Sequence, residues 1–344
     1  MNKLFVLLMI LCSAGCVAPI SLDYPGAGGA LVVDGWITNR PGPYIIKLSR
    51  SVPYDNSKSL KVYSIPERSV KVSIVDDLGN IEILTEMSTA GSYKTNTLSG
   101  VVGRKYQLKI ETKTGKYSSV PEQMVSVPNI KKFEARFQVS EVLFTNANGS
   151  ARVQKKEDFG FYVTISDPAD AENFYRWQAT GIFEYFSTSE QPVPTHCWAP
   201  TQGKIEPNLQ LASDVLFNGQ EYTQYLGLIA YDRPTYYLAT LNQQSLTPSA
   251  YKFLKQLKDQ QTSTGTLFDP PPTAISGNIY NENNSREVVL GYFGVSEVKQ
   301  VNLLINRLLE SGYVNPSRYS PPLPGNCLPQ QPESVSVPPP GFPG

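Results

Sequence analysis

The sequence predicts a mostly β protein: an N-terminal Ig-like or regulatory-type β-sandwich followed by a larger β-rich domain with one or two helices. Three observations predict it. Short runs alternate apolar and polar residues, as in 70–75 (VKVSIV) and 106–110 (YQLKI), the period of a half-buried strand. Turn residues break these runs at close spacing, as an all-β sandwich requires. Tyr (20) and Pro (28) are abundant, a bias common in extracytoplasmic β-rich proteins, and a single segment has a clear helical period.

The chain opens with Lys3, an apolar stretch over 4–11 and the run Leu11-Cys12-Ser13-Ala14-Gly15-Cys16. A positive end, an apolar core and small residues before a cysteine read as a lipoprotein signal over 1–15. The Cys16 thiol takes a diacylglyceryl group before cleavage, so the mature chain is anchored to a membrane rather than spanning it. An ordinary signal peptide cut near Ala14 or Ala18 is the alternative. Residues 16–29 contain Gly and Pro without a pattern and read as a tether.

Residues 30–128 form the predicted sandwich. Strands are expected at 31–37, 44–48, 70–75, 81–84, 91–95 and 106–110, with turns at Pro41-Gly42-Pro43 and Asp77-Leu78-Gly79-Asn80. Residues 129–314 form the second domain. Its strands are expected at 132–137, 159–165, 174–186, 222–231, 236–241 and 288–295. A helix starts at Thr247-Pro248, a good cap and first-turn proline, with Leu246 as a staple. It places Tyr251, Leu254 and Leu257 on one face and ends near Gln261. Periodicity leaves 298–309 as strand or helix. Residues 315–344 hold ten prolines and read as an extended or disordered tail.

Composition narrows the function. Net charge is zero, which gives no electrostatic reason for nucleic acid as a partner. Cys12 leaves with the signal and Cys16 is lipidated, so Cys197 and Cys327 remain as a candidate disulfide for an oxidising compartment. The chain lacks G-x-S-x-G and H-E-x-x-H, and its single histidine, His196, lies in a loop-like run beside Cys197. No cofactor is expected beyond the lipid on Cys16. Asp167, Asp170 and Glu172 form a weak calcium candidate, whose plainer reading is a turn after a strand. Aromatic density offers the remaining clue. Tyr175, Trp177, Tyr185, Trp198 and Tyr236 are candidates for an exposed platform that stacks a glycan or grips a peptide, against the alternative that they fill the core.

Several separated motifs also resemble a known family. They are LVVDGWIT at 31–38, Gly42-Pro43-Tyr44, Gly91-Ser92-Tyr93, Gly103 with Tyr106, GTLFDPPP at 265–272, Ile275-Ser276-Gly277-Asn278 and Leu290-Gly291-Tyr292-Phe293. Together they resemble the DUF4249 family of Bacteroidetes lipoproteins. The resemblance implies an outer-membrane lipoprotein, often encoded beside a TonB-dependent receptor, and supplies no catalytic residues. The leading expectation is therefore a non-enzymatic accessory or ligand-binding subunit of such a receptor. A stand-alone surface glycan- or peptide-binding lipoprotein is second, and a hydrolase using paired carboxylates third. Asp23 is the one acid among residues 17–23, so the sequence leaves cell-surface and periplasmic orientations both open.

Overall fold

The structure is a computed structural model. It describes residues 29–52, 64–146, 149–188, 195–201, 205, 209–262, 275–319, 323–324, 327 and 333–343, and all structural statements refer to these. Cys16 and the signal lie outside them, as do most of the tether and the segment 265–272.

The first body is a β-sandwich. One sheet runs in the order Leu290–Ser296, Leu31–Thr38, Ile45–Ser51, Ser92–Lys94 and Thr85–Glu86, with Ser64–Pro66 on Ile45–Ser51. The facing sheet runs Ile279–Asn281, Lys116–Ser119, Lys105–Glu111, Lys71–Asp76 and Ile81–Ile83, with Glu122–Gln123 on Lys105–Glu111. Alternation does the work here. Leu31, Val33 and Ile37 turn inward, as do Ile46 and Leu48 from the neighbouring strand. Val72, Ile74, Tyr106, Leu108 and Ile110 meet them from the other sheet. Each such side chain contributes roughly 1.5–3 kcal/mol by leaving water.

The sandwich is completed from far along the chain, which corrects the domain boundaries of 30–128 and 129–314. Leu290–Ser296 pairs in parallel with Leu31–Thr38, with Gly35 opposite Phe293. Ile279–Asn281 pairs antiparallel with Lys116–Ser119. The run 288–295 is apolar throughout because its main strand is covered on both faces. Phe293 and Val295 enter the first core, while Tyr292 packs in a separate cluster with Phe253 and Leu254 of the helix. Gly291 sits at φ +89°, and a Cβ there would lie 1.8 Å from the Val33 carbonyl oxygen, so only glycine permits this approach.

The second body packs a three-stranded sheet against a larger one. The first is Ile130–Thr145, Ala151–Ser166 and Glu221–Ala230. The second runs Thr195–Pro200, Phe174–Thr188, Tyr236–Leu246 and Val298–Asn306, with Gln210–Ser213 and Leu323–Pro324 also on Phe174–Thr188. Phe133, Phe159, Phe161, Trp177 and Tyr237 fill the space between them. The helix spans Pro248–Thr262; the Thr247 hydroxyl accepts from the Ala250 N–H as its cap, and Leu246 is buried in the same cluster as Ala250. Of the undecided stretch, Val298–Asn306 is strand and Arg307–Glu310 a single helical turn.

The described parts of the tail are held down. Cys197 and Cys327 form a disulfide. The Tyr185 hydroxyl donates to the Cys327 carbonyl at 2.9 Å, and Trp198 and Val335 exchange backbone hydrogen bonds.

Candidate functional site

Four of the five rings considered for an aromatic platform are buried. Tyr175 and Trp177 are 1% exposed, Tyr185 2% and Trp198 5%. Period two explains the first three: 175, 177 and 185 share one face of a single strand, and that face meets a core. Trp198 lies edge-on to His196 and Phe342, the latter from the tail. Tyr236 is half-buried, and its N–H donates to Glu184 at 2.9 Å.

The three acids of the calcium candidate differ in their surroundings. Asp167 is buried and accepts from the Tyr175 hydroxyl and, at 3.0 Å, from the Gly219 N–H. Burial pushes the Tyr175 hydroxyl up from its ordinary value, and the Asp167 carboxylate adds to the shift. Asp170 and Glu172 are exposed. Among the described residues, no three His, Cys, Asp or Glu side chains are grouped to hold a metal. His196 lies 3.3 Å from Glu184 and against the Phe186 ring at 4.4 Å, while its neighbour Cys197 is spent in the disulfide.

One buried carboxylate was not foreseen. Glu122, from the first body, is 3% exposed. It accepts from the hydroxyls of Thr247 (2.5 Å), Ser249 (2.8 Å) and Tyr292 (2.5 Å). Thr247 and Ser249 flank the start of the helix, so the acid also faces the positive end of its dipole. A cavity of about 480 Å³ adjoins the cluster, with Lys252 and Asn278 in its lining. A carboxylate-pair hydrolase needs a second acid, and among the described residues Glu122 is the only one lining this cavity. Its bonds instead weld the helix to the first sandwich. Burial raises the Tyr292 hydroxyl, and the Glu122 hydrogen bond raises it further.

The most exposed feature is the hairpin of Ile130–Thr145 and Ala151–Ser166. Its two strands pair along their whole length, with Phe137 opposite Phe159 and Leu143 opposite Val153. The third strand accompanies only 158–166. Residues 139–145 and 151–157 therefore continue as a two-stranded ribbon, about 23 Å long at strand rise. Odd-numbered residues of the root (Phe133, Phe137, Phe159, Phe161) build the core. The same face of the ribbon carries Val139 (52% exposed), Leu143 (67%) and Val153 (62%). The other face carries Val142 and Phe144, also exposed, with Arg152 over the Phe144 ring at 5.5 Å and Lys156 beyond. A free ribbon of this kind is marginal in water, and apolar groups gathered on a projection mark a contact surface. The strand expected from the sequence ends at Phe137, whereas the observed one runs on to Thr145. The apolar positions that follow, together with the turn signal Asn146-Ala147-Asn148-Gly149, carried the missing information.

Among known proteins, residues 17–302 match the family model described as a domain of unknown function, DUF4249, and the chain belongs to that family. No curated protein and no solved structure matches it.

Proposed function

We propose, with membership of DUF4249 as the premise, that this protein is a non-enzymatic outer-membrane lipoprotein acting as an accessory subunit of a TonB-dependent receptor. The ribbon of 139–145 and 151–157 carries this reading. It sets five large apolar side chains in solvent on an element too thin to be stable for its own sake. A lipid on Cys16 confines the protein to the plane of its partner, and the raised effective concentration lets a modest interface suffice. The lipobox supports the anchor, and the family resemblance supports the kind of partner. Burial of Tyr175, Trp177, Tyr185 and Trp198 weighs against an independent glycan or peptide reading built on those rings.

The test is a mild-detergent pull-down of the tagged full-length protein from its native membrane, with mass spectrometry. A stoichiometric TonB-dependent receptor that is lost when Leu143 and Phe144 are both changed to Ser supports the reading. A protein that purifies alone, or a receptor retained by the ribbon variant, overturns it.

A further inference from the structure

A second feature lies at the mouth of the second body, where Glu221–Ala230 leads into Tyr236–Leu246. A cavity of about 310 Å³ opens there between the two sheets. Phe183, Leu228, Ile229 and Tyr237 give it apolar walls. A Cβ on Gly181 would come within 2.0 Å of the Tyr237 hydroxyl, so glycine at that position lets the ring lie flat across the sheet. The Tyr237 hydroxyl is then fixed by Thr201 at 2.9 Å.

Two guanidiniums close the polar end of the cavity. Arg307 is only 2% exposed. It donates from Nε to the Thr235 carbonyl at 2.9 Å, from Nη2 to the Thr235 hydroxyl at 2.8 Å and from Nη1 to Asp232 at 3.1 Å. Arg233 donates Nε and Nη2 to the other Asp232 oxygen at 3.0 and 2.7 Å, and its guanidinium lies 4.9 Å from the Phe183 ring centre. Among the described residues Asp232 is the one acid lining the cavity, and it faces two fixed cations. Each guanidinium has five N–H donors. Among the described residues these bonds use three on Arg307 and two on Arg233, so both retain donors. A surplus positive charge in a half-enclosed apolar site, presented by planar forks, fits a planar two-oxygen anion. The volume lies at the low end for small-molecule sites and is too small for a polymer.

We propose that this cavity binds a small organic carboxylate, with its oxygens on Arg233 and Arg307 and its apolar or aromatic body against Phe183 and Tyr237. Specificity comes from the division of labour between the two arginines. Arg307 is held by Thr235 and defines the floor, whereas Arg233 sits at the rim and completes the clasp. The site is separate from the ribbon and does not depend on the receptor reading.

Benzoate and its neutral isostere benzamide are the probes. Each is titrated into the detergent-solubilised full-length protein, and saturation transfer to the ring protons is followed by NMR. Benzoate is expected to bind and benzamide to bind at least about tenfold more weakly, since a charge-assisted pair is lost. Arg233→Gln is expected to weaken benzoate by about tenfold with an unchanged circular dichroism spectrum, and Arg233→Lys to fall between. Phe183→Leu probes the wall without touching a charge and is expected to weaken both probes alike. Equal binding of benzoate and benzamide, benzoate binding unchanged in Arg233→Gln, or no saturation transfer from either probe overturns the proposal.

Discussion

The root and the tip of the Ile130–Ser166 hairpin both carry large apolar side chains on their odd-numbered face and meet opposite surroundings. At the root, Phe137 and Phe159 pack on Tyr231 with ring centres 5.4–5.6 Å apart, under the cover of a second sheet. Two residues farther along the same face, Val139 is half exposed, and Leu143 and Val153 more so. Beyond that point the odd-numbered face keeps Val139, Leu143 and Val153 but also takes Glu141, Lys155 and Glu157, while Val142 and Phe144 stand on the other face; the supply of neighbours changes as well, because the third strand ends opposite Asp158. Apolar periodicity reports that a face needs covering and is silent on whether the same chain covers it.

The sharpest way to break this contrast is to truncate one residue from each half. Phe159→Ala is expected to cost about 3–5 kcal/mol in urea unfolding, whereas Leu143→Ala stays within about 0.5 kcal/mol. Equal losses would mean that the tip is buried after all. The tail gives a second contrast between held and free chain. Replacing Cys197 and Cys327 together by Ser opens a loop with a sequence separation of 130 and is expected to cost about 2–4 kcal/mol by thermal or urea unfolding.

The weld between the two bodies comes next. Glu122→Ala leaves three hydroxyls without their acceptor and is expected to cost about 1–3 kcal/mol, with Glu122→Gln closer to wild type. Alkaline stability then reads the two buried tyrosines. Their folded-state values are raised, so the stability they confer is intact below the ordinary tyrosine value of about 10 and is lost as pH climbs from there through the folded values. Tyr175→Phe is expected to flatten that decline in unfolding measured from pH 8 to 11. The smallest stability effect belongs to Val142→Ser on the ribbon, within about 0.5 kcal/mol, and a larger change would show a structural role for the tip.

Much of the fold was legible because strands declare themselves locally. The strands around Val33, Ile74 and Leu108 and the Thr247-capped helix follow from period, turn and cap chemistry. The partner of the 290–296 strand was not legible, since parallel pairing between segments some 250 residues apart leaves no local mark. The aromatic set was misjudged for a different reason. Parity decides their fate, since Tyr175, Trp177, Phe183 and Tyr185 all occupy odd positions of one strand. Glu122 and Asp232 are single acids whose importance comes from partners far away in sequence. The disulfide needed only a count of cysteines, whereas lipidation of Cys16 is an expectation from the sequence and lies outside the described residues.

Among the described residues, the first strand waits for one of the last. Leu31–Thr38 gains its parallel neighbour only once residue 296 has emerged, and Lys116–Ser119 gains its partner at 279–281. A chain made from its N-terminus therefore spends most of its synthesis with an open sheet edge in the body that was made first. Assembly is closed by the late segment, so a message cut short near residue 270 yields an unfinished first body as well as a shortened second one.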